Sequence, residues 1–142
     1  EGPLILIGSS MGAWMALLAA LARPAPVTGL ILIAPAPDFT ERLLWQTLPE
    51  PAKREIMETG QWLRPSAYEA PYPITRAVIE EGRDHLLLDK PIPFAGPVRI
   101  LQGMADPDVP WRHALLLAEK LGAAAVASHR LRQRFDHSSP RS

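Results

Sequence analysis

The sequence predicts an α/β fold: an open, mostly parallel sheet flanked by helices, with a helical cap insertion. Three observations predict it. Short branched apolar runs at Leu4–Ile7, Gly29–Ala34 and Pro97–Gly103 read as strands, the first two buried on both faces. An Ala-, Leu- and Met-rich segment, Met11–Ala22, joins the first two as a helix, and a strand–helix–strand unit implies parallel strands. The third strand is followed by a helix over Trp111–Leu121, and this alternation predicts an open sheet with helices on both faces.

The totals agree with such a core. Of 142 residues, 47% are hydrophobic and 21% charged, which suits one globular domain rather than a disordered chain. Fifteen basic residues balance fifteen acidic ones, so no charge excess points to nucleic acid or an anionic membrane. The absence of cysteine excludes disulfides and thiolate metal sites. Sixteen prolines, roughly twice the usual 5%, predict many turns in the middle of the chain.

The first element needs care, because Leu4–Ala22 is uncharged and reaches the ~18–20 residues of a membrane span. Gly8, Ser9, Ser10 and Gly12 interrupt it with turn chemistry. Glu1 stands where a signal peptide would carry basic residues. No membrane span is expected, and the expected location is cytoplasmic.

The turn reads Gly8-Ser9-Ser10-Met11-Gly12, a match to G-x-S-x-G centred on Ser10. A nucleophile on a sharp, strained strand-to-helix turn needs small neighbours, and Gly8 and Gly12 supply them. The hydroxyl of Ser10 then stands above the sheet, and the backbone N–H of Met11 becomes an oxyanion donor. Ser9 is the rival nucleophile, off the central position. The Met11–Ala22 helix is apolar nearly all round, so it is expected to be buried.

In an open α/β sheet, ligands meet the C-terminal ends of the strands. Ser10 and the loop "GMADPDVPW" from Gly103 both follow strands and should share that rim. Asp106 is the candidate acid that orients a histidine and stabilises its imidazolium, with Asp108 as competitor. Either Asp also suits a plain structural role, capping the next helix or turning the chain at Pro107. Of the four histidines, His85 lies in a charged stretch, His113 on the helix after the Asp loop and His129 in an Arg-rich run. His137, late in the chain and on a loop, fits the order Ser, Asp, His and is the candidate base. Before it, "AVASHRLRQRF" alternates as a half-exposed edge strand would.

Residues 38–96 separate the second and third strands by far more than a crossover needs, so they are expected to form a helical cap or lid. The core would then comprise residues 1–37 and 97–142. Three helices are expected in the cap: "DFTERLLWQTL" with Thr40 or Asp38 as N-cap, "PAKREIMETGQWL" stopping near Gly60, and "ITRAVIEEGRDHLLL". Trp45, Trp62, Tyr68 and Tyr72 either line an acyl or aryl pocket or pack the cap onto the sheet.

The elbow "GSSMG", the loop "GMADPDVPW" and the late "DH" together resemble the α/β-hydrolase family. More narrowly, "LIGSSMGAWMALLAALARP", "IAPAPDFTERLLW", "PYPITRAVIEEGRDHLLLDKPIP" and "LQGMADPDVPW" look like a bacterial and mitochondrial group. That group includes mycophenolic acid acyl-glucuronide esterase, also described as a palmitoyl-protein thioesterase. The resemblance covers most of Leu4–Leu121. It implies a serine hydrolase of esters or thioesters with nucleophile Ser10, acid Asp106 and base His137, acting on a small-molecule or acylated substrate with no metal or cofactor.

The family's earlier strands have no counterpart, because the chain opens in the nucleophile strand. The expectation is therefore a partial α/β-hydrolase fold, the C-terminal portion, with an exposed apolar sheet edge and a second oxyanion donor not supplied here. The contrasting expectation is a truncated, inactive fragment or a non-catalytic interaction module, with the N-terminal half of the fold as its partner.

Overall fold

The computed structural model describes residues 2–23, 27–65, 70–122 and 126–131. Strand β1 (Leu4–Ser9) runs into helix α1 (Met11–Ala22), and β2 (Val27–Ile33) follows. Helix α2 (Glu50–Thr59) leads into the strands β3 (Gln61–Arg64) and β4 (Tyr72–Thr75), and α3 (Arg76–Arg83) comes next. The chain then returns to β5 (Val98–Gly103), α4 (Trp111–Leu121) and β6 (Val126–Leu131). The main sheet has the order β1-β2-β5-β6, and every pairing in it is parallel. The uncharged stretch 4–22 is thus divided between a strand and a 12-residue helix. Among the described residues no helix is long and apolar enough to cross a membrane.

Register explains where the core sits. Paired residues of parallel strands point to the same face. Leu6, Leu30 and Val98 form one row, and Gly8, Leu32 and Ile100 the next. These rows face one apolar cluster that also takes in Ala13, Ala16, Leu17 and Ala20 of α1 and Ala114, Leu117 and Leu121 of α4. Both helices therefore lie on one face. The opposite rows, Ile7-Ile31-Arg99 and Ser9-Ile33-Leu101, contribute no residue to that cluster.

Helices on both faces, as the sequence predicts, are not seen among the described residues. Two burial expectations change for the same reason. In β1, at the edge of the sheet, only Gly8 is buried, and Ile5 and Ile7 are 63% and 66% exposed. Helix α1 leaves Met11, Met15, Ala19 and Ala22 exposed on one side. Apolar character states what a residue tolerates, and burial needs a neighbour to supply it.

Residues 38–96 are less helical than expected. Thr40–Leu44 makes one wide π-type turn and Trp45–Thr47 a 3₁₀ turn. Neither is capped by Asp38 or Thr40: the Asp38 carboxylate is engaged elsewhere, and the buried Thr40 Oγ1 has no partner. Helix α2 ends as the glycine predicts, with Gly60 at φ 90° donating its N–H to Ile56 O. The antiparallel pair β3–β4 was not expected. Leu44, Leu48, Ala52, Ile56, Ile74 and Ile79 make a second apolar cluster, against which Phe39, Trp45 and Trp62 pack. Leu88, Ile92 and Phe94 instead join the core of the sheet.

Candidate active site

Ser10 stands between the last residue of β1 and the first of α1, with φ 51° and ψ −120°. A residue carrying a Cβ rarely holds such angles, at a cost of about 1–3 kcal/mol. Its backbone is tied down on three sides. Its N–H donates to Ile33 O at 2.9 Å, and its carbonyl accepts from Ala13 N at 3.1 Å and Ala36 N at 3.2 Å. The side is exposed, and the N-terminus of α1, beginning at Met11, is beside it. Ser9 belongs to β1, paired with Ile33 in the row away from the helices.

The two glycines of the turn are not equivalent. A Cβ on Gly8 would fall 2.4 Å from Gly12 O and 2.6 Å from Ala13 Cα, so only glycine lets the strand meet the helix here. A Cβ on Gly12 would meet nothing within 4 Å. Among the described residues, then, the strand–helix approach requires Gly8 alone, because Gly12 lies on the uncovered side of α1.

The loop after β2 backs Ser10. Ala34 and Asp38 both have positive φ, at 43° and 57°. Ala34 N donates to Leu101 O, and Ala36 N reaches the Ser10 carbonyl. Asp38 is fully buried: its Oδ1 accepts from Leu87 N at 2.8 Å and its Oδ2 from Leu88 N at 2.9 Å. Arg42 Nε lies 3.7 Å from Oδ2 and its guanidinium also pairs with Asp89. His113 Nε2 is 2.7 Å from Pro37 O; a carbonyl only accepts, so Nε2 carries the proton. Burial holds the His113 imidazole below its usual range, against the opposing pull of the Pro37 carbonyl and the Asp38 carboxylate.

Asp106 follows β5, on the same sheet rim as Ser10. One strand lies between β1 and β5, so at the usual strand spacing their axes are about 10 Å apart. Asp106 Oδ1 accepts from Asp108 N and Val109 N, both at 2.9 Å, so the structural turn at Pro107 is present. Asp106 is half-buried and Asp108 exposed. Leu131, which ends β6, pairs with Gly103, so that strand ends on the rim that carries Asp106. His137, the candidate base, lies outside the described residues, as does Tyr68. Among the other histidines, His85 is exposed, and its carbonyl accepts from Trp14 Nε1.

Residues 1–106 match the family model described as serine aminopeptidase, S33. The chain belongs to the S33 family. Palmitoyl-protein thioesterase ABHD10, mitochondrial, of Mus musculus is 40% identical over 145 residues, covering 96% of this chain and 48% of that protein. The Homo sapiens protein of the same name is 39% identical, with 96% and 47% covered. The S33 chain thus spans about half the length of the curated relatives it matches.

Among solved structures, a protein of Agrobacterium vitis S4 superposes with a TM-score of 0.84 at 44% identity, covering 92% of this chain and 52% of its own. Alpha/beta hydrolase domain-containing protein 10 from mouse gives 0.80 at 40%, with 96% and 55% covered. The S33 chain therefore carries part of an α/β-hydrolase fold.

Sequence reasoning missed the contacts that Asp38 and His113 make. From the sequence Asp38 reads only as a cap, and no sequence signal pairs it with amides about 50 residues away. Of the four aromatics, Trp45 and Trp62 lie against the second cluster, and Lys53 and Arg83 stack on the Trp45 ring.

Proposed function

We propose that the chain provides the nucleophile, acid and base of a serine hydrolase that cleaves carboxylic esters or thioesters through an acyl-enzyme. The observation that carries this reading is the strained, exposed Ser10 between a parallel strand and a helix N-terminus. In this reading His137 takes the Oγ proton as Ser10 attacks the acyl carbonyl. The Met11 N–H receives the negative charge that forms on oxygen. Asp106 holds the imidazole tautomer and stabilises the imidazolium. His137 then protonates the leaving alcohol or thiol, and water releases the acyl group by the reverse sequence. The ester or thioester class is supported by the relatives named palmitoyl-protein thioesterase.

A fluorophosphonate probe tests the nucleophile in the full-length protein. Labelling at Ser10 is expected, absent in Ser10→Ala, with turnover reduced on the order of 10⁶-fold if the triad is complete. Labelling that survives Ser10→Ala refutes the assignment.

Two observations favour a second reading, an inactive piece or interaction module. Ile5 and Ile7 are exposed at the edge of the sheet, and the chain spans about half of its relatives. The remaining half of the same fold is the partner this reading requires. Labelling separates the two: a chain labelled alone or on co-expression with that half supports the hydrolase reading, and a chain unlabelled in both supports the inactive one. The cytoplasmic location is likewise a proposal, tested by fractionation, since the relatives are named mitochondrial.

A further inference from the structure

We infer that Gln102 is a positioning residue for Asp106, an inference that rests on the reading of Asp106 as the acid of the triad. Gln102 stands near the end of β5 and is 6% exposed. Its Nε2 donates to Gly103 O at 3.1 Å and to Val109 O at 2.9 Å. One amide group therefore bridges the two ends of the loop that carries Asp106. Val109 is gripped on both sides, its C=O by Gln102 and its N–H by Asp106 Oδ1. Besides the Asp106 carboxylate, which also accepts from Asp108 N, the loop has few bonds to set its shape. Pro107 and Pro110 have no N–H, and the Asp106 N–H reaches Gly103 O only at 3.4 Å.

Gln102 also carries a cost. Its Oε1 is buried without a partner, which counts against the fold. An apolar side chain here would avoid that cost and would also lose the two N–H bonds. The amide does what no aliphatic residue can: it locks the loop to the strand end, and with Oδ1 held by two amides, Oδ2 becomes the oxygen assigned to the imidazole. A carboxylate displaced by about 1 Å can lose on the order of 10²-fold in rate. The Gln102 side chain donates to the carbonyls of Gly103 and Val109, so its effect should pass through Asp106 and appear in kcat.

The test is a double-mutant cycle on kcat and KM in the full-length protein, with Gln102→Met and Asp106→Asn singly and together. Gln102→Met should lower kcat by about 10- to 100-fold with KM changed by less than about twofold. On the Asp106→Asn background the same change should cost less than about threefold, because the acid it positions is already gone. Equal losses on both backgrounds overturn the inference, since they mark a general structural role. No loss in the Gln102→Met single variant also overturns it. Full activity in Asp106→Asn overturns the acid assignment together with this inference, and is seen before any Gln102 variant is made. Loss of labelling in Ser10→Ala keeps the enzyme reading standing independently of Gln102. If Gln102→Met does not fold, Gln102→Glu, close in shape and lacking the NH₂, is carried through the same cycle.

Discussion

Ser10 keeps a costly backbone only because its neighbours leave it no other course. Ile33, Ala36 and Ala13 take up its N–H and C=O, and Gly8 alone gives the room for the bend. The same scale holds a pH prediction. His113 is buried, and burial lowers its affinity for a proton below that of the unfolded chain, whose imidazole titrates near ~6.5. As pH falls below that value the unfolded state takes the proton first. Stability contributed by neutral His113 is full above about 6.5 and is lost as pH falls through the lowered native value. Urea unfolding at pH 7 and pH 5 should show this loss, and His113→Gln, which keeps a donor for Pro37 O, should show less of it. Equal losses in the two proteins would remove His113 from the account.

At the scale of elements, one buried carboxylate decides how a long segment ends. The third expected helix, read over residues 74–88, stops at Arg83. The Leu87 and Leu88 N–H groups go to Asp38 instead of to the preceding helical turns. Asp38 thereby joins the loop after β2 to the chain entering the core at Leu88. Removing it leaves two amides without their acceptor, while Arg42 keeps Asp89. Asp38→Ala should therefore cost about 2–5 kcal/mol, from two stranded amide donors, measured as a shift in denaturant midpoint at constant m-value. A cost below about 1 kcal/mol would mean that water replaces the carboxylate at once. Helix α2 and its stop at Gly60 were legible, since a left-handed C-cap is a local property of one glycine. The β3–β4 pair was not, because Trp62 and Ile74 find each other across the intervening chain and only pairing distinguishes them from helix tails.

For the whole molecule, the sheet has a covered face and an open one. Ile5 and Ile7 at the edge strand make a template for unwanted pairing. The 142-residue chain is expected to self-associate, and Ile5→Thr combined with Ile7→Lys should reduce this in light scattering while leaving the far-UV CD spectrum unchanged. Association that persists undiminished would place the contact elsewhere. The features legible in the amino-acid order are local and periodic. The branched runs became parallel strands, Met11–Ala22 and Trp111–Leu121 became helices over those same residues, and G-x-S-x-G set a bend at Ser10. Those outcomes depend on side-chain shape and backbone freedom within a few residues. Tertiary structure alone decided which faces are buried, why Gly8 and not Gly12 is cramped, and how Asp38, His113 and Gln102 are used. Each of these depends on groups from distant parts of the chain meeting, and a buried polar atom finds its partner only once the fold has brought that partner within hydrogen-bond reach.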